Sequence, residues 1–248
     1  MTWYKQTSVW AIVISVIAVV FSQLPPVSDW LPKDHLQVDI GNQIALPTIL
    51  GAQGYFVLVD FDNQGNRAVN LSRIQLEVVW PNGSLRTLDV RYFSEPKNDN
   101  YFFATTLKLK PQERLVYYLT FYPKSSPNED ETMGRLRQKI SDSILERRRL
   151  LRPQEYTPDT LVEADSKLVA EAIRLFNQRL ILETGLYKAT LSCEKNGERV
   201  NIKTFEFTLY DYHIDTLRSQ ANDFKYGWGV SGSPDQNKEL WATISRVD

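Results

Sequence analysis

Residues 54–62 read G-Y-F-V-L-V-D-F-D and are closed by Asn63-Gln64-Gly65-Asn66. A run rich in aromatic and β-branched residues that ends in Asn and Gly is a strand running into a tight turn. The same grammar repeats on either side. Ile74, Leu76 and Val78 alternate with Gln75 and Glu77, which gives one apolar and one polar strand face. Pro81-Asn82-Gly83-Ser84 turns the chain, and residues 85–93 return as a strand. Residues 101–109 and 114–122 make a further pair around Lys110-Pro111-Gln112-Glu113. Residues 186–193 and 200–210 make a last pair around Lys195-Asn196-Gly197-Glu198.

Short strands at roughly ten-residue spacing, joined by Gly, Asn and Pro turns, predict an antiparallel sandwich. Through the strand ending in Asp62-Asn63-Gln64-Gly65-Asn66 and the late Gly185-Leu186-Tyr187-Lys188-Ala189-Thr190-Leu191 strand, the chain resembles the immunoglobulin-like sandwiches of secreted and envelope proteins. The resemblance covers about residues 36–122 and 184–210 and implies a fold, not an activity. The chain departs from antibody domains in lacking a cysteine pair. Tyr187 also lies six positions before Cys193, where the tyrosine corner needs two.

Between the β portions lies a helical insertion at 129–183. Residues 123–130 read as a polar linker. Met133, Leu136, Ile140 and Ile144 recur at three- and four-residue steps, and Arg152-Pro153 ends this helix. A second helix is expected from a Thr157 cap with Pro158 at its first position, or from a Thr160/Glu163 capping box, and Gly185 is its terminator. The two helices form a hairpin. Beyond residue 210 the reading is a short helix at 212–224, an aromatic glycine-bearing stretch Tyr226-Gly227-Trp228-Gly229, and a helical turn or two within 234–244.

The amino-terminal segment decides location. Residues 9–24 carry no charged side chain and stop at Pro25-Pro26. A helix rises about 1.5 Å per residue against a hydrocarbon core of about 30 Å, so sixteen residues need residues 6–8 and a snorkelling Lys5 to span it. The expectation is a single-pass anchor (a signal-anchor) at 9–24 with residues 1–8 cytoplasmic, a linker at 25–35, and the bulk extracytoplasmic, periplasmic in a bacterium. Cleavage after Val20-Phe21-Ser22 as a secretory signal and a buried core helix are the alternatives.

Composition is ordinary: 42% hydrophobic, 24% charged, with a net charge of −1, which gives no argument for nucleic acid. Cys193 is the only cysteine, so no disulfide forms within the chain and no cysteine-based zinc cluster exists. His35 and His213 have no ligand partner at metal spacing. Gly229-Val230-Ser231-Gly232-Ser233 misses the nucleophile elbow by one residue, and no phosphate loop is present. Asp60/Asp62 and Asp211/Asp215 raise calcium or glycosidase chemistry but read as solvated faces. Asn70 and Asn82 begin glycosylation acceptor patterns, which matter only in a eukaryote.

Two surfaces stand out. The first helix carries Arg135, Arg137, Lys139, Arg147, Arg148, Arg149 and Arg152 against Asp142 and Glu146. Its end, Arg147, Arg148, Arg149 and Arg152, suits an acidic partner, a headgroup or an anionic glycan, or else a solvated face with cations at the helix C-terminus. Tyr226 and Trp228 suit a sugar or a partner, or simply cover a sheet edge. No cofactor and no catalytic or metal residues are expected. The expected role is a membrane-anchored, non-enzymatic accessory or assembly subunit of an envelope complex, touching the bilayer through residues 9–24 and other envelope proteins through its surface. A glycan-binding or adhesion module is the alternative, and a carboxylate-based envelope hydrolase a more distant one.

Overall fold

The computed structural model describes residues 7–23, 33, 35–96, 100–151, 160–230 and 240–246. Helix α1 is Thr7–Gln23. The strands are β1 (Leu36–Ala45), β2 (Thr48–Ile49), β3 (Ala52–Gln53), β4 (Tyr55–Asn63), β5 (Val69–Val79), β6 (Leu85–Ser94), β7 (Tyr101–Phe103), β8 (Leu107–Leu109), β9 (Arg114–Tyr122), β10 (Gly185–Lys195), β11 (Glu198–Leu209) and β12 (Trp241–Arg246). Helices α2 (Pro127–Leu150) and α3 (Ser166–Arg179) lie between β9 and β10. Helix α4 (Asp211–Ser219) and a 3-10 helix (Gln220–Tyr226) follow β11.

Mainly β is the correct class, but the sandwich is not. Among the described residues the sheet runs β6-β9-β4-β1-β12-β11-β10-β5 and returns to β6, so eight antiparallel strands close into a barrel. Alternation is common to sandwiches and barrels, because each buries one face of every strand. Long-range pairing decides between them. Strand β12, from a stretch expected to be helical, pairs with β1 through Thr243, Ala242 and Trp241, and with β11 through Arg246, Ser245 and Ile244. It fills the gap that would otherwise leave two sheet edges. On the far side β6 pairs with β5 over 85–89 and with β9 over 89–94, so one strand turns the corner and joins both halves.

The interior is filled by side chains, as an eight-stranded barrel requires. Tyr55, Val57, Val59, Phe61 and Asn63 alternate inward from β4. The directly opposed Tyr187 and Phe207 stack at 5.0 Å, with Tyr55 edge-on to Phe207 at 6.2 Å. Cys193 belongs to this core, and burial pushes its thiol up to about 11, so it packs as a small apolar residue.

Buried Asn63 ends β4 as a polar hub. Its amide donates to the carbonyls of Arg67 and Lys110 at 2.8 Å, and its oxygen accepts from the Gly65 N–H at 3.1 Å. Gly65 has no room for a side chain, since a Cβ there would sit 2.4 Å from the Lys33 carbonyl. Tyr187 closes the turn into β10. Its hydroxyl donates to the Glu183 carbonyl at 2.7 Å and accepts from the Glu183 N–H at 3.0 Å.

A second apolar cluster lies outside the barrel: Leu136, Ile140 and Ile144 of α2, Ala172 and Phe176 of α3, Ala221 and Phe224 of the 3-10 helix, and Leu50 from the β2–β3 turn. Helix α2 begins earlier than expected, because Ser126 and Glu129 form a capping box with Pro127 in the first turn. Helix α3 begins later, at a cap made by Asp165, and residues 160–165 are extended coil. The expected start at Thr157-Pro158 lies outside the described residues, as does Pro153. Gly185 opens β10 rather than ending a helix.

The expected membrane span is also corrected. Among the described residues no helix is long and apolar enough to cross a membrane. The 17 residues of α1 reach about 25 Å, short of a hydrocarbon core of about 30 Å.

Removal of residues 240–248 deletes the closing strand and exposes the edges of β1 and β11. The expected result is loss of a cooperative thermal transition and a rise in self-association, read by circular dichroism and size-exclusion chromatography.

Candidate functional site

The site lies where the barrel meets the helical layer, and the β2–β3 turn builds it. Leu50 and Gly51 at its tip both have positive φ, 46° and 80°. Leu50 is driven into the helical cluster. Gly51 lies so close to α3 that a Cβ would stand 2.3 Å from the Phe176 carbonyl oxygen. Just beyond, the buried Gln53 amide oxygen accepts from the backbone N–H groups of Ile181 and Leu182 at 3.3 and 3.0 Å, which tethers the chain leaving α3. The Gln53 NH₂ group is thereby turned away from that chain.

This scaffold leaves a cleft of two chambers, each about 190 Å³, sharing Ala52, Pro123 and Arg179. The first is lined by Gln53, Tyr55, Trp80, Arg86, Leu88, Gln178 and Ile181. The second is lined by Arg91, Tyr92, Tyr122, Ser125, Asp130, Met133 and Arg137. Together they hold four arginines and one carboxylate.

Arg179 divides them, with its guanidinium against the Met133 sulfur. Burial holds its pKa below the ordinary arginine range and nearby Arg137 pushes the same way, while Glu129 and Asp130 oppose. The Glu129 carboxylate is occupied by the Ser126 backbone N–H at 2.7 Å, a bond that lowers its pKa. Arg86 is exposed and lies 5.5 Å over the Trp80 ring. Beneath it the buried Tyr55 hydroxyl and Trp80 indole nitrogen face each other, the indole N–H toward the phenol oxygen, and the phenol hydrogen has no acceptor; Nε of Arg137 is buried without a partner. Burial raises the Tyr55 pKa, so the phenol stays protonated and remains a donor. Every unsatisfied polar atom of that group is thus a donor or donor-capable.

The residues singled out in the sequence lie elsewhere. Arg147 is exposed and donates to the Glu163 carbonyl at 3.1 Å. Arg148 is half-buried and its Nε lacks a partner, while Arg149 is exposed in the last turn of α2. Arg152 lies outside the described residues. Tyr226 and Trp228 are half-buried with ring centroids 5.2 Å apart, and Lys225 sits 4.7 Å over Tyr226 while pairing with Glu163 at 2.7 Å. They form a corner of the helical layer.

The acidic pairs do not converge. Asp60 is held in a two-point ion pair by Arg114, with Nε–Oδ1 at 2.9 Å, and Asp62 accepts from Gln64 at 2.8 Å. Asp211 accepts from Thr184 at 2.7 Å, and Asp215 faces Arg218. Among the described residues no group of three His, Cys, Asp or Glu side chains is placed to hold a metal.

His213 is buried just past the end of β11, in the first turn of α4. Its Nδ1 accepts the Tyr210 backbone N–H at 3.2 Å, and its ring packs 4.0 Å from Tyr212. Desolvation lowers its pKa. The chain matches no protein-family model and no curated protein.

Two measurements check this geometry. Because the His213 pKa is lower folded than unfolded, the unfolded chain binds the extra proton first. Stability is then full above the ordinary value of 6.5 and falls as pH drops through the folded value. Urea melts from pH 7.5 to 5 should show this loss, and His213→Gln should flatten it. Gly51→Ala should cost about 1–3 kcal/mol through the left-handed φ alone, and more from the Phe176 contact, measured by chemical denaturation.

Proposed function

We propose that the protein is a non-enzymatic accessory or assembly subunit of an envelope protein complex, with its β-rich body on the extracytoplasmic side. The observation that carries this reading is α1. Every side chain from Trp10 to Val19 is exposed, with Ile12 at 64%, Ile14 at 62% and Val19 at 60%. A helix apolar on all sides is stable only when something covers it, and the folded body does not. The cover is the apolar layer of a membrane surface or the partner subunits held there.

A second exposed feature supports docking by the body itself. Strand β7 is the last strand of the sheet beyond β6, outside the ring, and its Tyr101 and Phe103 are 62% and 76% exposed. An edge strand bearing aromatic side chains is suited to adding a partner's strand or loop.

Ile14→Glu/Ile17→Glu should release the protein from a membrane pellet and collapse its mild-detergent complex to the size of the free chain. A photo-crosslinker at Phe103 should give adducts of discrete size in cells. An unchanged complex in the double variant, or a reporter behind residue 248 active only in the cytosol, would sink the reading.

A further inference from the structure

We propose that the arginine-lined cleft binds a small organic acid, a molecule with one anionic head and an apolar body of about six carbons. Three observations converge on this chemistry. The lining is donor-rich and cationic: Arg86, Arg91, Arg137 and Arg179 stand against the single carboxylate of Asp130. Guanidinium forks match carboxylate and phosphate oxygens and retain their charge even where burial disfavours it, as at Arg179.

Second, two buried donors at this site lack an acceptor, the Tyr55 hydroxyl, whose oxygen faces the Trp80 indole N–H, and Nε of Arg137. A buried donor left without an acceptor costs about 1–3 kcal/mol, and two around one cleft are an anomaly that a ligand carrying acceptor oxygens removes. Tyr55 and Trp80 are only 2% and 6% exposed, so the donors are fixed in place by the core.

Third, the two chambers differ. The one holding Arg91, Arg137 and Ser125 is the polar end and takes the head, with Arg179 between the chambers. The other is walled by Leu88, Ile181 and the Trp80 ring and takes the body. At about 30 Å³ for a water-sized group, 190 Å³ accommodates roughly six such groups. Arg86, exposed over Trp80, is the group that must swing aside to admit the ligand to Tyr55 and Trp80.

The charges facing the head, Glu129 and Asp130 included, are both accounted for. Glu129 is held in the α2 cap and keeps its charge there, so it and Asp130 oppose the anion against the four arginines.

The test uses isothermal titration of the full chain with hexanoate, hexyl phosphate, inorganic phosphate and the neutral hexyl glucoside. Binding of hexanoate or hexyl phosphate, at least tenfold tighter than inorganic phosphate or the glucoside, is the expected result. The better of the two heads identifies carboxylate or phosphate. Arg179→Gln and Arg91→Gln should each weaken that binding tenfold or more, and the exposed Arg91 site keeps the test decisive if Arg179→Gln does not fold. Trp80→Phe should weaken the hexyl acids but not inorganic phosphate. Vesicles of phosphatidic acid in phosphatidylcholine separate the sources: competition with hexyl phosphate assigns a lipid head, and its absence assigns a free acid. No binding at 10 mM, equal binding of hexyl glucoside, or unchanged affinity in Arg91→Gln would overturn the proposal. None of these outcomes depends on α1 or on a partner, so they are distinct from failure of the assembly role.

Discussion

A sheet of this length has to end somewhere, and each end is a row of N–H and C=O groups in search of a partner. The barrel closes its ring at a seam of six residues from the far C-terminal region and leaves the short β7 and β8 outside it. Strand β12 hydrogen-bonds to β1 on one side and β11 on the other, and so joins the first strand of the body to the last. Only after that closure does the inner face become a sealed volume for the Tyr55, Tyr187, Phe205 and Phe207 rings. The rest depends on this seam. The chain leaving β1 enters the β2–β3 turn, and that turn anchors the helical layer through Leu50 and Gly51. The cleft exists because a closed barrel presents a fixed wall for α3 to face.

Charge is distributed to the same logic. The barrel's outer face carries cross-strand ion pairs, Asp60 with Arg114, Glu77 with Arg199 and Glu194 with Arg73, and a strand-to-loop pair, Asp89 with Lys124. Their basic partners are 58–79% exposed, so each pair adds little stability and serves mainly to keep the strand faces wet. Those pairs consume carboxylates of the barrel wall. The arginines of the cleft are not matched in that way, and a chain with net charge −1 thereby carries a local cationic site. Net charge hides such a site.

Strand content was legible because alternation is a local property. Ile74, Leu76 and Val78 face inward, as their spacing requires, and the helical stripe of Leu136, Ile140 and Ile144 is the buried face of α2. Closure was not legible, since no local signal in Trp-Ala-Thr-Ile-Ser-Arg, residues 241–246, names its partners 200 residues away. Trp241, Thr243 and Ser245 alternate with Ala242 and Ile244, but a run of six residues with Leu240, Trp241 and Ile244 at helical spacing fits either element. The capping box of Ser126 and Glu129, with Pro127 between them, lies in a stretch whose polar composition reads equally as a linker. The apolar segment at 9–24 gave its helix but not a crossing, because length, not hydrophobicity, falls short.

The candidate site illustrates a harder limit. Its arginines come from β6, α2 and the end of α3, and its buried aromatic polar groups from β4 and the residue after β5, so they share no sequence window. The basic run Arg147-Arg148-Arg149 is the stronger local signal, yet cations at a helix C-terminus are favoured by the dipole without any ligand. One signal did point inward. Arg91 interrupts an otherwise strand-like run, and Arg179 sits at the end of an amphipathic helix at the level of its buried Phe176. A cation placed where a strand and a helix converge has to be solvated by the protein or by a guest. Here a methionine sulfur lies against the guanidinium and a second arginine repels it, while only two carboxylates, Glu129 and Asp130, stand against the four arginines of the cleft, and that excess of donors over acceptors is the physical ground on which a guest is inferred.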